Sequence, residues 1–251
     1  MPDQAASRTA GPAGTRFREV RWLASVDSTN RLVLEEARAG AAEGLVVCAG
    51  EQTAGRGRQG RAWIAPAGSS LLCSVLLRPR LPPDRRHLVV IAASVAVAGA
   101  VESTTGVATS LKWPNDVMVG EAKLAGVLAE ADGDAVVVGM GVNVDWPEVP
   151  AQLIGVATAA NREGGRPVGL PTLLDEVLRR YDAHLDDLPG ALREYRRRLG
   201  TLGRRVRVDL SDGPLTGIAA DVDHAGHLLV EVESGCLVEV AAGDVVHLRS
   251  A

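Results

Sequence analysis

Gln52-Thr53-Ala54-Gly55-Arg56-Gly57-Arg58-Gln59-Gly60-Arg61-Ala62-Trp63 is the stretch on which the fold class turns. Gly55, Gly57 and Gly60 satisfy the G-x-G-x-x-G spacing of a dinucleotide-binding turn, and a short apolar run, Leu45 to Ala49, precedes them as that motif requires. The continuation does not fit. A doubly wound fold follows this turn with a helix and places an acidic residue about 20 positions on. Here Ile64 and then Ser69 to Leu77 read as strand, and no acidic residue stands at that offset. No Gly-Lys-Ser/Thr follows, so a Walker phosphate loop is excluded as well. What remains is physical. Three glycines let the backbone approach a ligand closely, and Arg56, Arg58 and Arg61 put three permanent charges within six residues. Such a loop repels itself when empty and orders around an anion. Each charge-assisted hydrogen bond contributes about 1.5–3 kcal/mol, against about 1–2 kcal/mol for each residue ordered. The ligand therefore has to make several contacts, which suits an acyl-phosphate nucleotide and not a lone carboxylate. The plain alternative is a solvated surface loop, against which Gln52 and Trp63 at its ends argue.

Outward from this loop the chain alternates strands and helices. Phe17 to Val26 alternates as a first strand, and Asp27-Ser28-Thr29-Asn30 offers N-caps for a helix through about Ala39, closed by Gly40. Arg78-Pro79 ends the strand Ser69 to Leu77. Asp84 is placed to cap an apolar helix His87 to Val101, rich in small residues. Val107 to Trp113, Asp116 to Val119, Leu124 to Ala131 and Ala135 to Val144 then read as successive strands, with turns at Gly120-Glu121 and Asp132-Gly133. Pro171 opens an amphipathic helix to about Leu185, and an arginine-rich one covers about Ala191 to Leu199. After Gly200 the texture changes. Val206 to Val208, Leu215 to Val222, Leu228 to Val232, Leu237 to Val240 and Val245 to Leu248 are short β-runs. Turns at Asp212-Gly213-Pro214, Ala225-Gly226, Ser234-Gly235 and Ala242-Gly243 separate them. This predicts an α+β domain over 16–200 followed by a small barrel over 203–251. Residues 1–15 read as a disordered tail.

The 251 residues carry a net charge of −4, which argues against bulk nucleic-acid binding. The longest apolar run, Leu88 to Val101, is broken by Ser94 and Gly99 and falls short of the roughly 20 residues of a membrane span. No hydrophobic leader stands at the N-terminus. Cys48, Cys73 and Cys236 lie far apart in apolar runs, as buried thiols of a reducing cytoplasm do. The five histidines are scattered; His224 and His227 stand too isolated, near turns, to read as a metal site.

Lys112 and Lys123 are the only lysines among 27 basic residues. Both fall in compact polar motifs, Lys112-Trp113-Pro114-Asn115-Asp116 and Lys123-Leu124-Ala125-Gly126, which marks two positions where a broad guanidinium does not serve. Codon bias with two chance survivors is the alternative. Pro114 ends a strand, so Asn115 and Asp116 sit at a turn. Asn115 has the paired donor and acceptor that read an adenine edge. Asp116 can hold Mg²⁺ or accept from a basic neighbour, and an Asx turn with Asp116 paired to Lys112 is the structural alternative. Lys123 falls one turn on, on the neighbouring antiparallel strand. Asn143, in Gly139-Met140-Gly141-Val142-Asn143, reads by itself as a structural amide.

Taken together and in this order, Asp27-Ser28-Thr29-Asn30, Gln52 to Arg61 with Trp63, Lys112 to Asp116, Lys123 to Gly126 and Gly139 to Asn143 resemble the biotin protein ligase family (biotin–[acetyl-CoA-carboxylase] ligases). The resemblance spans 27–143, and the β-rich tail matches that family's SH3-like C-terminal domain. It implies a mixed-sheet fold related to class II aminoacyl-tRNA synthetases and lipoate ligases. It also implies biotin and ATP as substrates, Mg²⁺ as cofactor, and biotin carboxyl carrier protein domains of biotin-dependent carboxylases as partners. Ser28, Thr29, Asn30 and Gln52 would surround biotin, and Arg56, Gly57 and Arg58 would close over its carboxylate and the phosphate. Lys123 would contact carboxylate and α-phosphate; Trp63, Asn115 and Asn143, with Arg58, would belong to the ATP side. Lys112 and Asp116 would lie near the phosphates and Mg²⁺, so that Lys123, Arg58, Lys112 and Asp116 form the catalytic set. Some members carry an N-terminal DNA-binding domain, for which the few residues before the first strand leave no room, so a repressor role is not expected. A lipoate- or octanoate-type ligase and a non-catalytic biotin sensor are the competing readings. The Gly-Arg loop speaks against the first, and the presence of Lys123 and Arg58 against the second.

Overall fold

The computed structural model describes residues 7–210, 213–241 and 243–248. Its centre is an eight-stranded mixed sheet in the order β1-β2-β3-β4-β8-β7-β6-β5. These are β1 Ser7–Ala10, β2 Glu19–Leu23, β3 Leu45–Ala49, β4 Ser70–Leu77, β5 Ser110–Lys112, β6 Asp116–Val119, β7 Ala122–Asp132 and β8 Ala135–Asn143. Only β2 and β3 pair in parallel; every other neighbouring pair in this sheet is antiparallel. Alternation along the strands separates two faces. One carries Val46, Cys48, Val75, Leu77, Val136 and Val138 into the main core. The other carries Leu45, Val47, Leu76 and Val137 against α1, Thr29–Arg38.

The main core is closed by α2, Leu88–Thr105, which is apolar all round and buried along almost its whole length. Among the described residues one helical stretch, Pro83–Thr105, is long and apolar enough to cross a membrane, and 78% of its most apolar window is buried inside the fold. The outer layer is α3, Leu170–Asp186, and α4, Leu188–Arg198, both amphipathic and both packed on α2. A separate antiparallel sheet in the order β12-β11-β10-β9-β13 follows. It consists of β9 Arg205–Leu210, β10 Gly213–Val222, β11 Leu228–Glu231, β12 Leu237–Val240 and β13 Asp244–His247. The mixed sheet with flanking helices and the small C-terminal β-domain are those expected.

Several local expectations differ. The tail expected over 1–15 includes β1, which pairs with β2 from Ser7↔Trp22 to Ala10↔Glu19; residues 1–6 lie outside the described residues. An edge strand this short is held by backbone hydrogen bonds, so its polar, exposed side chains carry no hydrophobic signal. The first strand proper is only Glu19–Leu23. Asp84 does not cap α2. It lies in a single 3₁₀ turn, Pro83–Arg85, and His87 takes the N-cap without a side-chain bond. The helix runs past Val101 to Thr105 because Glu102 finds Arg198 of α4 at 2.7 Å and Thr109 at 2.9 Å. Thr109 also donates its backbone N–H to Glu102 at 3.1 Å, and the strand expected from Val107 begins only at Ser110. The turns expected at Asp212-Gly213-Pro214 and Ala242-Gly243 include Asp212 and Ala242, which lie outside the described residues.

Candidate active site

A pocket opens where the N-terminus of α1, the loop 52–63 and strands β6, β7 and β8 meet. Its inner end is a network of buried polar side chains. Ser28, Thr29, Asn30 and Ser74 are each less than 5% exposed. Ser28 caps α1 by accepting from the Arg31 N–H at 3.4 Å. Thr29 donates from both its backbone nitrogen and Oγ1 to Gln52 Oε1, at 2.8 and 3.0 Å. Ser74 Oγ donates to Asn30 Oδ1 at 2.6 Å, and Asn30 Nδ2 donates to Glu130 Oε2 at 2.9 Å. Burying so many polar groups is costly unless they are paired, and these are, which holds the outward-facing atoms at one geometry.

The floor is made by glycines. Gly126 and Gly141 face each other across β7 and β8. A Cβ on Gly141 would lie 2.5 Å from the Trp63 ring, and one on Gly126 3.0 Å from it. The indole therefore packs closely on the bare backbone of both glycines, where a side chain at either position would crowd it. Its Nε1 is buried without a hydrogen-bond partner. Lys123 Nζ stands 5.4 Å from the centre of that ring and 2.5 Å from Asp116 Oδ1. Lys123 is fixed through its backbone: its N–H donates to Val156 O and its carbonyl accepts from Thr158, both at 2.9 Å. An irregularity between Val117 and Met118 re-aims this edge of the β6–β7 pair.

The Gly-Arg loop folds back on itself. Trp63 N donates to Gly55 O at 2.9 Å and Gly57 N to Arg61 O at 2.6 Å, around a 3₁₀ turn Arg58–Gly60 in which Gln59 takes φ 52°. Each arginine is met by an acceptor outside the loop. Arg56 Nη1 donates to Glu130 Oε1 at 3.1 Å. Arg58 donates to Asn115 Oδ1 at 3.3 Å and to Gly243 O at 3.1 Å, and Arg61 donates to Asp244 at 2.9 Å. Burial lowers the Arg58 pKa, and Asp244 and Asp116 oppose that shift.

Of the residues expected to act, Ser28, Thr29, Asn30, Gln52, Arg56, Gly57, Arg58, Trp63, Asn115, Asp116 and Lys123 all line this one pocket. Lys112 and Asn143 do not. Lys112 stands opposite Asp116 in the β5–β6 register, but Asp116 pairs with Lys123, and the Lys112 charge is felt at His247 and Glu121 instead. Asn143 is buried, donating to Thr158 O at 2.9 Å while its Oδ1 has no partner. Asn115 is not free to read a base edge in this state: its Nδ2 is engaged by Val127 O and its Oδ1 by Arg58. The turn that carries it follows a cis Trp113–Pro114 bond, and buried Tyr195 donates to Pro114 O at 3.0 Å. Burial, and then the Asp116 charge, raises the Tyr195 pKa, so it stays a neutral donor.

Reading the sequence missed Ser74, Glu130 and Asp244, the partners that organise the pocket from other elements. Only the β-period of strands β4 and β7 pointed toward the first two. His227 is also less isolated than expected. Its Nδ1 lies 3.2 Å from Asp223 Oδ2 and 2.9 Å from Glu239 Oε1, because β12 returns beside β11. The three donor atoms lie within 4.8 Å of one another.

As chemistry, the pocket offers a polar neutral inner end, a flat aromatic wall, a converging set of cations and one carboxylate, Asp116, with no histidine. That composition suits a small polar ring joined to an anionic nucleotide-like group. Residues 22–145 match the Biotin/lipoate A/B protein ligase family, and residues 201–248 the Biotin protein ligase C terminal domain. A biotin--[acetyl-CoA-carboxylase] ligase of Mycobacterium tuberculosis is 38% identical over 247 residues, covering 94% of this chain and 92% of the relative. One from Paracoccus denitrificans is 33% identical, covering 88% and 97%. The solved biotin protein ligase of Aquifex aeolicus in complex with biotin and ATP superposes with a TM-score of 0.82 at 30% identity, covering 92% of this chain and 99% of that one. The chain belongs to the biotin protein ligase family.

Proposed function

We propose that this chain is an ATP-dependent, AMP-forming biotin–[biotin carboxyl-carrier protein] ligase. The observation that carries the reading is one pocket holding Thr29 and Gln52 at its inner end and Arg58, Lys123 and Asp116 at its mouth. Biotin's neutral ureido ring fits the hydrogen-bonded end at Ser28, Thr29, Asn30 and Gln52, and its carboxylate reaches the cations. In the first step that carboxylate attacks the α-phosphate of ATP, forming biotinyl-5′-AMP and releasing pyrophosphate. One anion attacks another, so the barrier is largely Coulombic. Arg56, Arg58 and Lys123 offset it, most effectively where they are already in place and water is excluded. Trp63, packed on Gly126 and Gly141, supplies a stacking face for the adenine.

In the second step the amine of one lysine on a carrier domain attacks the mixed anhydride, and AMP leaves. The reacting lysine belongs to the partner, so no nucleophile is needed here; Ser28 and Thr29 are committed to capping and to Gln52. Mg²⁺ is usually held by one or two carboxylates together with substrate phosphates, and a single carboxylate at the mouth fits that pattern. Asp116 would hold the ion, which when bound shields phosphate charge, and Lys123 would then turn from Asp116 to the substrate. Lys112 and Asn143 stand outside the pocket lining, so any part they take on the nucleotide side is indirect.

The catalytic unit is assigned to 16–200 and the small β-domain to 203–251, in keeping with the two separate sheets. Partners are carrier domains of biotin-dependent carboxylases; neither nucleic acid nor membrane is invoked. A cytoplasmic setting is consistent with Cys48 and Cys73, opposed on β3 and β4, whose burial holds the Cys48 thiol well above its ordinary pKa. Pyrophosphate release that requires both biotin and ATP tests the first step. Release dependent on lipoate or octanoate in place of biotin would favour the neighbouring ligase class.

A further inference from the structure

The three arginines of the loop are held from two directions. Arg56 is met by Glu130 of the central sheet. Arg58 and Arg61 are met by the C-terminal barrel. Arg58 Nη2 donates to the Gly243 carbonyl at 3.1 Å, Arg61 Nη2 donates to the Asp244 carboxylate at 2.9 Å, and Asp244 Oδ1 lies 3.9 Å from Arg58 Nη1. Donors and acceptors differ in rigidity. The acceptors open β13, where Asp244 pairs with Asp209 of β9, and Gly243 is seated so tightly that a Cβ would meet Val208 at 2.6 Å. The donors stand on a loop punctuated by Gly55, Gly57 and Gly60, whose backbone loses more freedom on ordering than any other. A guanidinium has five N–H donors. The barrel engages Nη2 of each side chain and leaves further donors of Arg58 and Arg61 on the wall of the pocket that both line.

We propose that Asp244, acting with the Gly243 carbonyl, is a positioning residue that anchors Arg58 of the nucleotide side, together with its loop neighbour Arg61, and so tunes the affinity for ATP. The inference rests on the reading of the loop as the clamp on the adenylate. Asp244 touches no reacting atom. Its effect comes from ordering Arg58 and Arg61 before ATP arrives, so that binding does not bear that cost. Were Asp244 instead a counter-ion masking the arginines, its removal would tighten ATP binding, so the two roles differ in sign.

The test uses the full chain and biotin-dependent pyrophosphate release, with ATP and then biotin varied, for Asp244→Ala, Asp244→Glu and the pair Asp244→Ala/Arg61→Ala. For Asp244→Ala the KM for ATP is expected to rise about twofold to fivefold, the span of one partly exposed ion pair, with kcat and the KM for biotin less affected because Arg58 keeps its bond to Asn115. Asp244→Glu recovers part of the loss, and adding Asp244→Ala to Arg61→Ala produces a smaller rise than it does in the wild type. A KM for ATP that is unchanged or lowered overturns the proposal. So does a uniform loss of kcat against both substrates accompanied by a lower Tm, which marks a merely structural role. Absence of biotin-dependent release in the wild type defeats the ligase reading instead, so the two failures are distinguishable.

Discussion

The two cationic walls of the pocket are built by opposite means. Lys123 sits on a strand, and its backbone is clamped by Val156 and Thr158 on one side and by the β6–β7 ladder on the other. The arginine wall is a glycine-rich loop whose own hydrogen bonds close only a small turn. Its side chains are placed by acceptors far away in sequence: Glu130, Asn115, Gly243 and Asp244. A strand-borne charge is positioned by the fold itself. A loop-borne charge is positioned by contacts that each contribute little alone. The first design gives precision; the second makes the geometry of the wall depend on partners outside the loop.

Removing the rigid charge has the largest effect. Lys123→Ala is expected to lower biotin-dependent pyrophosphate release by about 10²–10³-fold, the usual loss when a preorganised stabiliser of developing charge is deleted. Lys123→Arg recovers little, because the Lys123 side chain is confined between Trp63, Gly126 and Asp116. Wild-type release from either variant removes Lys123 from the catalytic set. Next comes the floor. Gly141→Ala forces a methyl to 2.5 Å from the indole. Overpacking of this kind costs about 1–3 kcal/mol, to be read as a lower Tm or, where the loop gives way, as a raised KM for ATP. An unchanged value of both shows that Trp63 is not held against the strands.

The loop partners give smaller effects. Arg56 is 56% exposed at its side chain, and pairs of that kind contribute about 0–1 kcal/mol. Glu130→Gln keeps an acceptor for Asn30 and is expected to raise the KM for biotin by less than about fivefold, with Tm unchanged. A larger loss assigns Glu130 a role beyond holding Arg56.

The smallest effect lies in the barrel, where burial, then Lys112 and Arg204, push the His247 pKa down to about 4. As pH falls, the unfolded chain takes up that proton before the folded one. Stability contributed by neutral His247 is therefore complete above about pH 6.5 and is lost progressively toward pH 4. His247→Gln flattens that part of a Tm-against-pH curve, and an unchanged slope would show that His247 does not contribute to it.

The same contrast explains what the sequence disclosed. Lys112 and Lys123, the glycine spacing and the Lys112 to Asp116 turn are local patterns, and each sends residues into the pocket: Gly57 between Arg56 and Arg58, Asn115 and Asp116 of the turn, and Lys123 but not Lys112. Asp244 reaches Arg61 across 183 positions, and Glu130 reaches Arg56 across 74; no spacing rule marks either. Asp116 was legible as a carboxylate at a turn, but the choice between Lys112 and Lys123 as its partner depended on the β6–β7 irregularity. Helix α2 outran its expected end because Glu102 is paired from α4, and β1 went unseen because an exposed edge strand leaves no apolar trace. The β-runs after Gly200 were visible one by one. Which of them turned a carboxylate toward the pocket required the register of β13 on β9.

Incubating the full chain with biotin, Mg·ATP and an isolated biotin carboxyl carrier domain, and weighing the carrier by intact mass spectrometry, tests the ligase assignment most directly. A single biotinyl adduct on one carrier lysine, formed only with ATP present and formed far more slowly with Lys123→Ala, is the expected result. A lipoyl or octanoyl adduct when those acids are supplied together with biotin, or no adduct from the wild type at all, would contradict it.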